Sequence, residues 1–206
     1  MSRNLLSKIL LIIFLCLGGL FFVWGDLARA TNQGDVVINE LMWMGSSASI
    51  ADEWIELRNT TGTEIDLSGW TVEGAATSGG TLTIPNGKTI SANGYFLIAN
   101  YNEEDARSVL NVTSDWVTAS VSLKNTAAQY ILKDNTGATI DTADDGVGDP
   151  PAGDNTNKYS MERNGSPGNG TLAENWHTAT SSQGFNQDKT EKGTPRAVNS
   201  ETSQQN

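Results

Sequence analysis

Beyond residue 30, apolar and polar side chains alternate with a period of two, and turn residues break the alternation at short intervals. That spacing predicts short β-strands rather than helices. The segment Val36-Val37-Ile38-Asn39-Glu40-Leu41 is the first expected strand. In Glu53–Asn59, Ile55 and Leu57 fall on one face and Glu56 and Arg58 on the other, so this strand is expected to be half-buried, with Trp54 on the solvent side. Asn59-Thr60-Thr61-Gly62-Thr63 and Asp66-Leu67-Ser68-Gly69 carry turn chemistry, and the second feeds Trp70–Glu73, where Trp70 and Val72 share a face. Further strands are expected at Thr81–Ile84, Lys88–Ile90 and Tyr95–Ala99, set off by Pro85-Asn86-Gly87 and Asn93-Gly94.

Between Glu103 and Val121 the pattern weakens, which reads as a long connection with one helical turn at Glu104–Arg107 and an isolated Trp116. Alternation returns in Gln129–Lys133, and Asp134-Asn135-Thr136-Gly137 is a hairpin turn into Thr139–Asp141. Asp144 to Asn157 is rich in Gly, Asp and Pro and reads as loop. Tyr159–Arg163 and the region of Trp176 read as late, short strands. Abundant glycine, 21 residues in all, and the lack of any long Ala/Leu/Glu/Lys stretch agree with an all-β class. At 206 residues the chain suits one domain, expected over residues 35–199, with a polar tail at 200–206.

The N-terminus bears on compartment. Arg3 and Lys8 precede an uncharged apolar run from Ile9 to Gly25, followed by Ala28-Arg29-Ala30, a small-x-small pattern that signal peptidases cut. Residues 1–30 are therefore expected to be a signal peptide, or an anchor if retained, and the product secreted or held at the cell surface. Any membrane contact would run through this segment alone. The single cysteine, Cys16, lies inside it, so a chain beginning at Thr31 has no thiol and no disulfide. That chain carries 10 basic against 23 acidic side chains, a balance that repels a nucleic-acid backbone.

Candidate chemistry is sparse. Glu53 and Glu56 are three apart on a strand and so point to opposite faces; Glu40 could approach either across the sheet, but strand acids are usually solvated or paired with a neighbour such as Arg58. His177, the only histidine, has no G-x-S-x-G serine to serve and reads as a packing or surface residue. No catalytic residue is assigned. Asp141, Asp144, Asp145 and Asp149, with Asp154, supply oxygen ligands of the kind calcium prefers, although their register fails the EF-hand template. No other cofactor is expected. Trp43, in a predicted loop, Trp54 and Trp116 are the aromatics that could stack on a sugar, Trp43 and Trp54 foremost, the alternative for Trp43 being to anchor its loop; Trp70 and Trp176 read as core.

The strands that carry Ile38-Asn39-Glu40-Leu41 and Glu53-Trp54-Ile55-Glu56-Leu57-Arg58-Asn59, then Asp66-Leu67-Ser68-Gly69-Trp70, resemble the opening of the lamin tail domain. Asn93-Gly94, Gly137-Ala138-Thr139-Ile140-Asp141, Ser160-Met161-Glu162-Arg163, Trp176, and Gly193-Thr194-Pro195 with Asn199 follow in the order of bacterial members of that family. One departure stands out: Arg196 follows Thr194-Pro195 where such members commonly have glycine. The resemblance implies an immunoglobulin-like β-sandwich in an exported or surface protein. It also implies a non-enzymatic interaction or scaffolding role toward an extracellular protein or polysaccharide, or else a calcium- or carbohydrate-binding accessory to a separate hydrolase. It implies no catalytic residues.

Overall fold

The computed structural model describes residues 31–201. Strands form where the period of two is cleanest: β1 (Val36–Met42), β2 (Trp54–Asn59), β3 (Ile65–Asp66), β4 (Thr71–Ala76), β5 (Gly80–Thr83), β6 (Thr89–Ile90), β7 (Tyr95–Ala99), β8 (Trp116–Val117), β9 (Tyr130–Lys133), β10 (Thr139–Ala143), β11 (Met161–Arg163) and β12 (Trp176–Thr178). They make a six-stranded sheet in the order β12-β11-β1-β2-β7-β8, a four-stranded sheet β10-β9-β4-β5 and a small β3-β6 ladder. All pairings are antiparallel except β7 with β8.

The core is the meeting of two apolar faces. On the larger sheet, register sets Leu41 beside Ile55 and Ile98, and Ile38 beside Leu57 and Phe96. On the smaller sheet, Val72 lies between Leu82 and Leu132. All of these are buried in one cluster with Trp70 and Tyr130, the packing expected of an all-β sandwich. The expected hairpin closes as the sequence suggests: Asp134 Oδ1 accepts the N–H groups of Thr136 and Ala138, each at 2.9 Å, and Gly137 takes a φ of +87°.

Three expectations fail. Strand β2 is not half-buried: Trp54 and Glu56 are both 0% exposed, and all of β1 is buried. Both faces of the central strands are covered, because the stretch around Val109–Asn111 and the C-terminal stretch from Gly184 onward run over the outer one. Val109 N–H donates to Asp52 at 2.9 Å, Asn111 N–H to Gly184 O at 2.9 Å, and Phe185 sets its ring 6.5 Å from that of Trp54. The Glu103–Val121 connection contains a strand, β8, which joins β7 in parallel. No helical turn forms at Glu104–Arg107, where the Asp105 carboxylate takes the N–H of Arg107 at 2.9 Å, a local bond that competes with helix.

One buried ion pair ties the sheets together. Arg163 of β11, 0% exposed, donates to both carboxylate oxygens of Asp141 on β10, at 3.2 and 3.3 Å. Its remaining donors reach Pro167 O at 2.6 Å and Gly168 O at 3.0 Å, and the guanidinium lies 4.7 Å from the centre of the Trp176 ring. Asp141 also accepts the N–H of Ile38 at 2.9 Å, where the β1 register shifts. Burial pushes the Asp141 carboxyl up and Arg163 pulls it back. Removing Arg163 leaves that acid buried without its partner, and such losses cost about 3–5 kcal/mol. Arg163→Ala is accordingly expected to lower unfolding free energy by that amount in a urea titration; a loss below about 1 kcal/mol would show that the pair contributes little.

Candidate functional site

The register of the larger sheet builds an unusual polar line. Glu40 lies opposite Glu56 on one side and Glu162 on the other, and His177 lies opposite Glu162. Directly opposed residues share a face, so His177, Glu162, Glu40 and Glu56 run in a row across β12, β11, β1 and β2. The three glutamates are 0% exposed. None of them pairs with Lys or Arg among the described residues, and the one basic side chain in the row is His177, whose Nε2 lies 3.0 Å from Glu162.

What covers the row is the chain's own C-terminal strap, residues 193–200. Thr194 N–H donates to Glu40 at 2.9 Å, Arg196 N–H to Glu56, and Ser200 N–H to Glu162 at 3.0 Å. Each carboxylate thus receives one backbone donor from the strap. Side chains complete the set. Ser160 Oγ donates to Glu40 at 2.5 Å, Asn39 Nδ2 to Glu56 at 2.9 Å, and the Ser200 hydroxyl to Glu162. Asn199 fastens the end of the strap, its amide donating to Asn39 O at 3.1 Å and Arg163 O at 2.8 Å. Gly193 permits the close approach, since a Cβ there would stand 2.6 Å from a Glu40 oxygen and 2.9 Å from Ser160 Oγ.

Electrostatics follow from this enclosure. Burial, with the neighbouring charges of Glu162 and Glu56, holds the Glu40 carboxyl well above the ordinary range. Burial also pushes Glu56 up to about 8, the Arg196 N–H and Asn39 amide opposing. The hydroxyl of Thr194 stands 2.7 Å from Glu162 Oε1 and 3.2 Å from Glu40 Oε2 but has one proton to give. A proton on Glu40 resolves the conflict: Glu40 donates to Thr194, and Thr194 donates to Glu162. The imidazole Nε2 of His177, between Glu162 at 3.0 Å and Ser200 O at 2.7 Å, faces two acceptors and therefore donates.

Arg196 occupies the turn where a glycine was missed in the sequence. Its φ is +64°, a conformation that costs a non-glycine residue roughly 1 kcal/mol. The side chain offsets this by pairing with Asp115, which in turn accepts Leu97 N–H at 2.8 Å.

The candidates named from sequence are placed as follows. Asp141 is committed to Arg163 and Ile38. Asp144 is buried at a φ of +64° and accepts Asp145 N–H at 2.7 Å; Asp145 accepts Val147 N–H at 2.8 Å, and Asp149 is exposed. Among the described residues no three acids or histidines converge as metal ligands. Trp54 is buried beneath Phe185 rather than exposed, and Trp43, 7% exposed, donates Nε1–H to Ala152 O at 3.1 Å, with Gly153 packed against its ring. Neither presents a face to a sugar. Ser200, read as the start of a loose tail, is instead bound to Glu162. Glu40 is neither solvated nor paired with Arg58, and His177 belongs to the row. The sequence carries only part of the signal for that row: Glu40 lies within the mostly apolar stretch Val36–Met42, but nothing local to either strand shows that the outer face is covered.

The raised carboxyl groups have a definite consequence for stability. A group bound more tightly to its proton in the folded state stabilises below its unfolded pKa, and that stability is lost as pH rises through the folded value. For Glu56 the window runs from the ordinary 4.5 to about 8, and Glu53, raised by burial to about 7, acts in the same direction. Urea midpoints are expected to fall steadily between pH 5 and pH 8, and Glu56→Gln to flatten the slope. Stability that rises across that range would contradict the assignment.

Comparison with known proteins agrees with this architecture. No curated protein matches the chain. The model of the lamin tail domain matches residues 29–146, more than half its length. The matched region holds β1 to β10, while β11, β12 and the strap lie beyond it and complete the same larger sheet and its cover. With the match, the two-sheet fold and the strap in place, the chain belongs to the lamin tail domain family.

Proposed function

We propose that this chain is a non-enzymatic interaction or scaffolding module that works outside the cell, secreted or at the cell surface, and binds protein or polysaccharide through exposed loops and sheet edges. One observation carries the reading. The acids best placed for chemistry, Glu40, Glu56 and Glu162, are sealed under the chain's own strap, and each is hydrogen-bonded to its backbone. Family membership supports the same view, since the fold is an immunoglobulin-like module.

Export rests on the sequence of residues 1–30, which lie outside the described residues. Expression of the full chain in a secreting bacterial host, with mass spectrometry of each fraction, tests the proposal. Material beginning at Thr31 is expected in the medium or on the cell surface. Cytosolic protein that retains residues 1–30 would overturn it, as would hydrolysis of polysaccharide or nucleic acid that disappears in Glu40→Gln.

A further inference from the structure

Four arginines fall among the described residues, and three are matched with an aspartate: Arg107 with Asp105, Arg163 with Asp141, Arg196 with Asp115. Arg58 is not. Its side chain makes one hydrogen bond among the described residues, from Nη2 to Gly165 O at 3.2 Å, and its Nε–H is buried with no acceptor. A chain with 23 acids to 10 bases after residue 30 has carboxylates to spare, yet among the described residues none pairs with Arg58. A partly desolvated guanidinium gains most from an anionic acceptor, and carboxylates match its fork of donors.

The surroundings are those of a binding site. Arg58 lines an open depression on the outer side of the larger sheet, together with Tyr95, Asn93, Thr60 and Pro167, and no acid contributes to the wall. Register sets Tyr95 directly opposite Arg58, so the two side chains share a face. Tyr95 is half-buried, and burial pushes its phenol up, which keeps the hydroxyl a donor. Asn93 is exposed beside it in the same wall. The wall thus offers a cation, a phenol and an amide beside the apolar surfaces of Pro167 and the Tyr95 ring. That combination suits a ring bearing one carboxylate and several hydroxyls better than an apolar peptide side chain.

We propose that the Arg58–Tyr95 depression is a binding site for the uronate residues of an acidic polysaccharide, the carboxylate accepting from the Arg58 Nη groups and the ring hydroxyls meeting Tyr95 and Asn93. This rests on the interaction-module reading and gives it a ligand class. Calorimetric titration of the secreted chain with oligogalacturonate tests it, beside the methyl-esterified oligomer, a neutral galactan and an acidic peptide. Charged hydrogen bonds contribute about 1.5–3 kcal/mol, so Arg58→Gln is expected to weaken oligogalacturonate binding roughly 10- to 100-fold. Tyr95→Phe should weaken it a few-fold, and esterification should abolish it. Thermal melts of both variants should match the parent, because Arg58 makes a single protein hydrogen bond. Equal binding by Arg58→Gln, or no binding by the parent, would overturn the site. Binding of the acidic peptide with the same Arg58 dependence would overturn the polysaccharide assignment. Binding of the neutral galactan that ignores Arg58 would sink the site while leaving the interaction-module reading intact.

Discussion

Taking a carboxylate out of water costs several kcal/mol unless hydrogen bonds replace its hydration. Here three glutamates are buried side by side on adjacent strands with one imidazole and no Lys or Arg between them. Backbone N–H groups from a distant strap supply the replacement, one to each acid, and the strap acquires its conformation from the row it covers. The bonds link Glu40 to Thr194 and Glu56 to Arg196, positions 154 and 140 residues apart. The last stretch of chain is therefore part of what makes burial of the first strands tolerable.

Strand β11 connects this exterior device to the interior. Two of its neighbouring residues point in opposite directions: Glu162 outward to Thr194 and Ser200, Arg163 inward to Asp141 on the facing sheet. Asn199 caps the arrangement by donating to the carbonyl of Arg163 itself. Strap, larger sheet and smaller sheet are thus joined through two adjacent residues of one short strand. β11 lies beyond residue 146, where the family match ends, yet it sits directly against β1.

Strands were legible because alternation is written locally: Ile55 and Leu57, Val72, Tyr130 and Leu132 announce their inner face without knowledge of the rest of the chain. What covers the outer face was not legible. Trp54 and Glu56 look solvent-facing from their own strand, and they are buried only because segments 50 to 140 positions away, with no periodicity of their own, cross over them. Asp141 looked like a member of an acidic loop because its neighbours in sequence are acidic, whereas its partner in space is Arg163. The family resemblance did better, since Ile38-Asn39-Glu40, Glu53–Asn59, Ser160–Arg163 and Gly193-Thr194-Pro195 with Asn199 hold the residues that meet at the row. Those pieces are far apart in sequence and adjacent in space.

The dependence of the fold on its strap can be measured by comparing the thermal unfolding of a chain ending at Lys192 with one ending at Glu201. The longer chain retains Thr194, Arg196 and Ser200 and is expected to melt cooperatively at the parent temperature. The shorter one exposes the glutamate row and should lose that transition or melt at a much lower temperature. Equal midpoints for the two would contradict the claim that the strap's backbone donors make the buried acids tolerable.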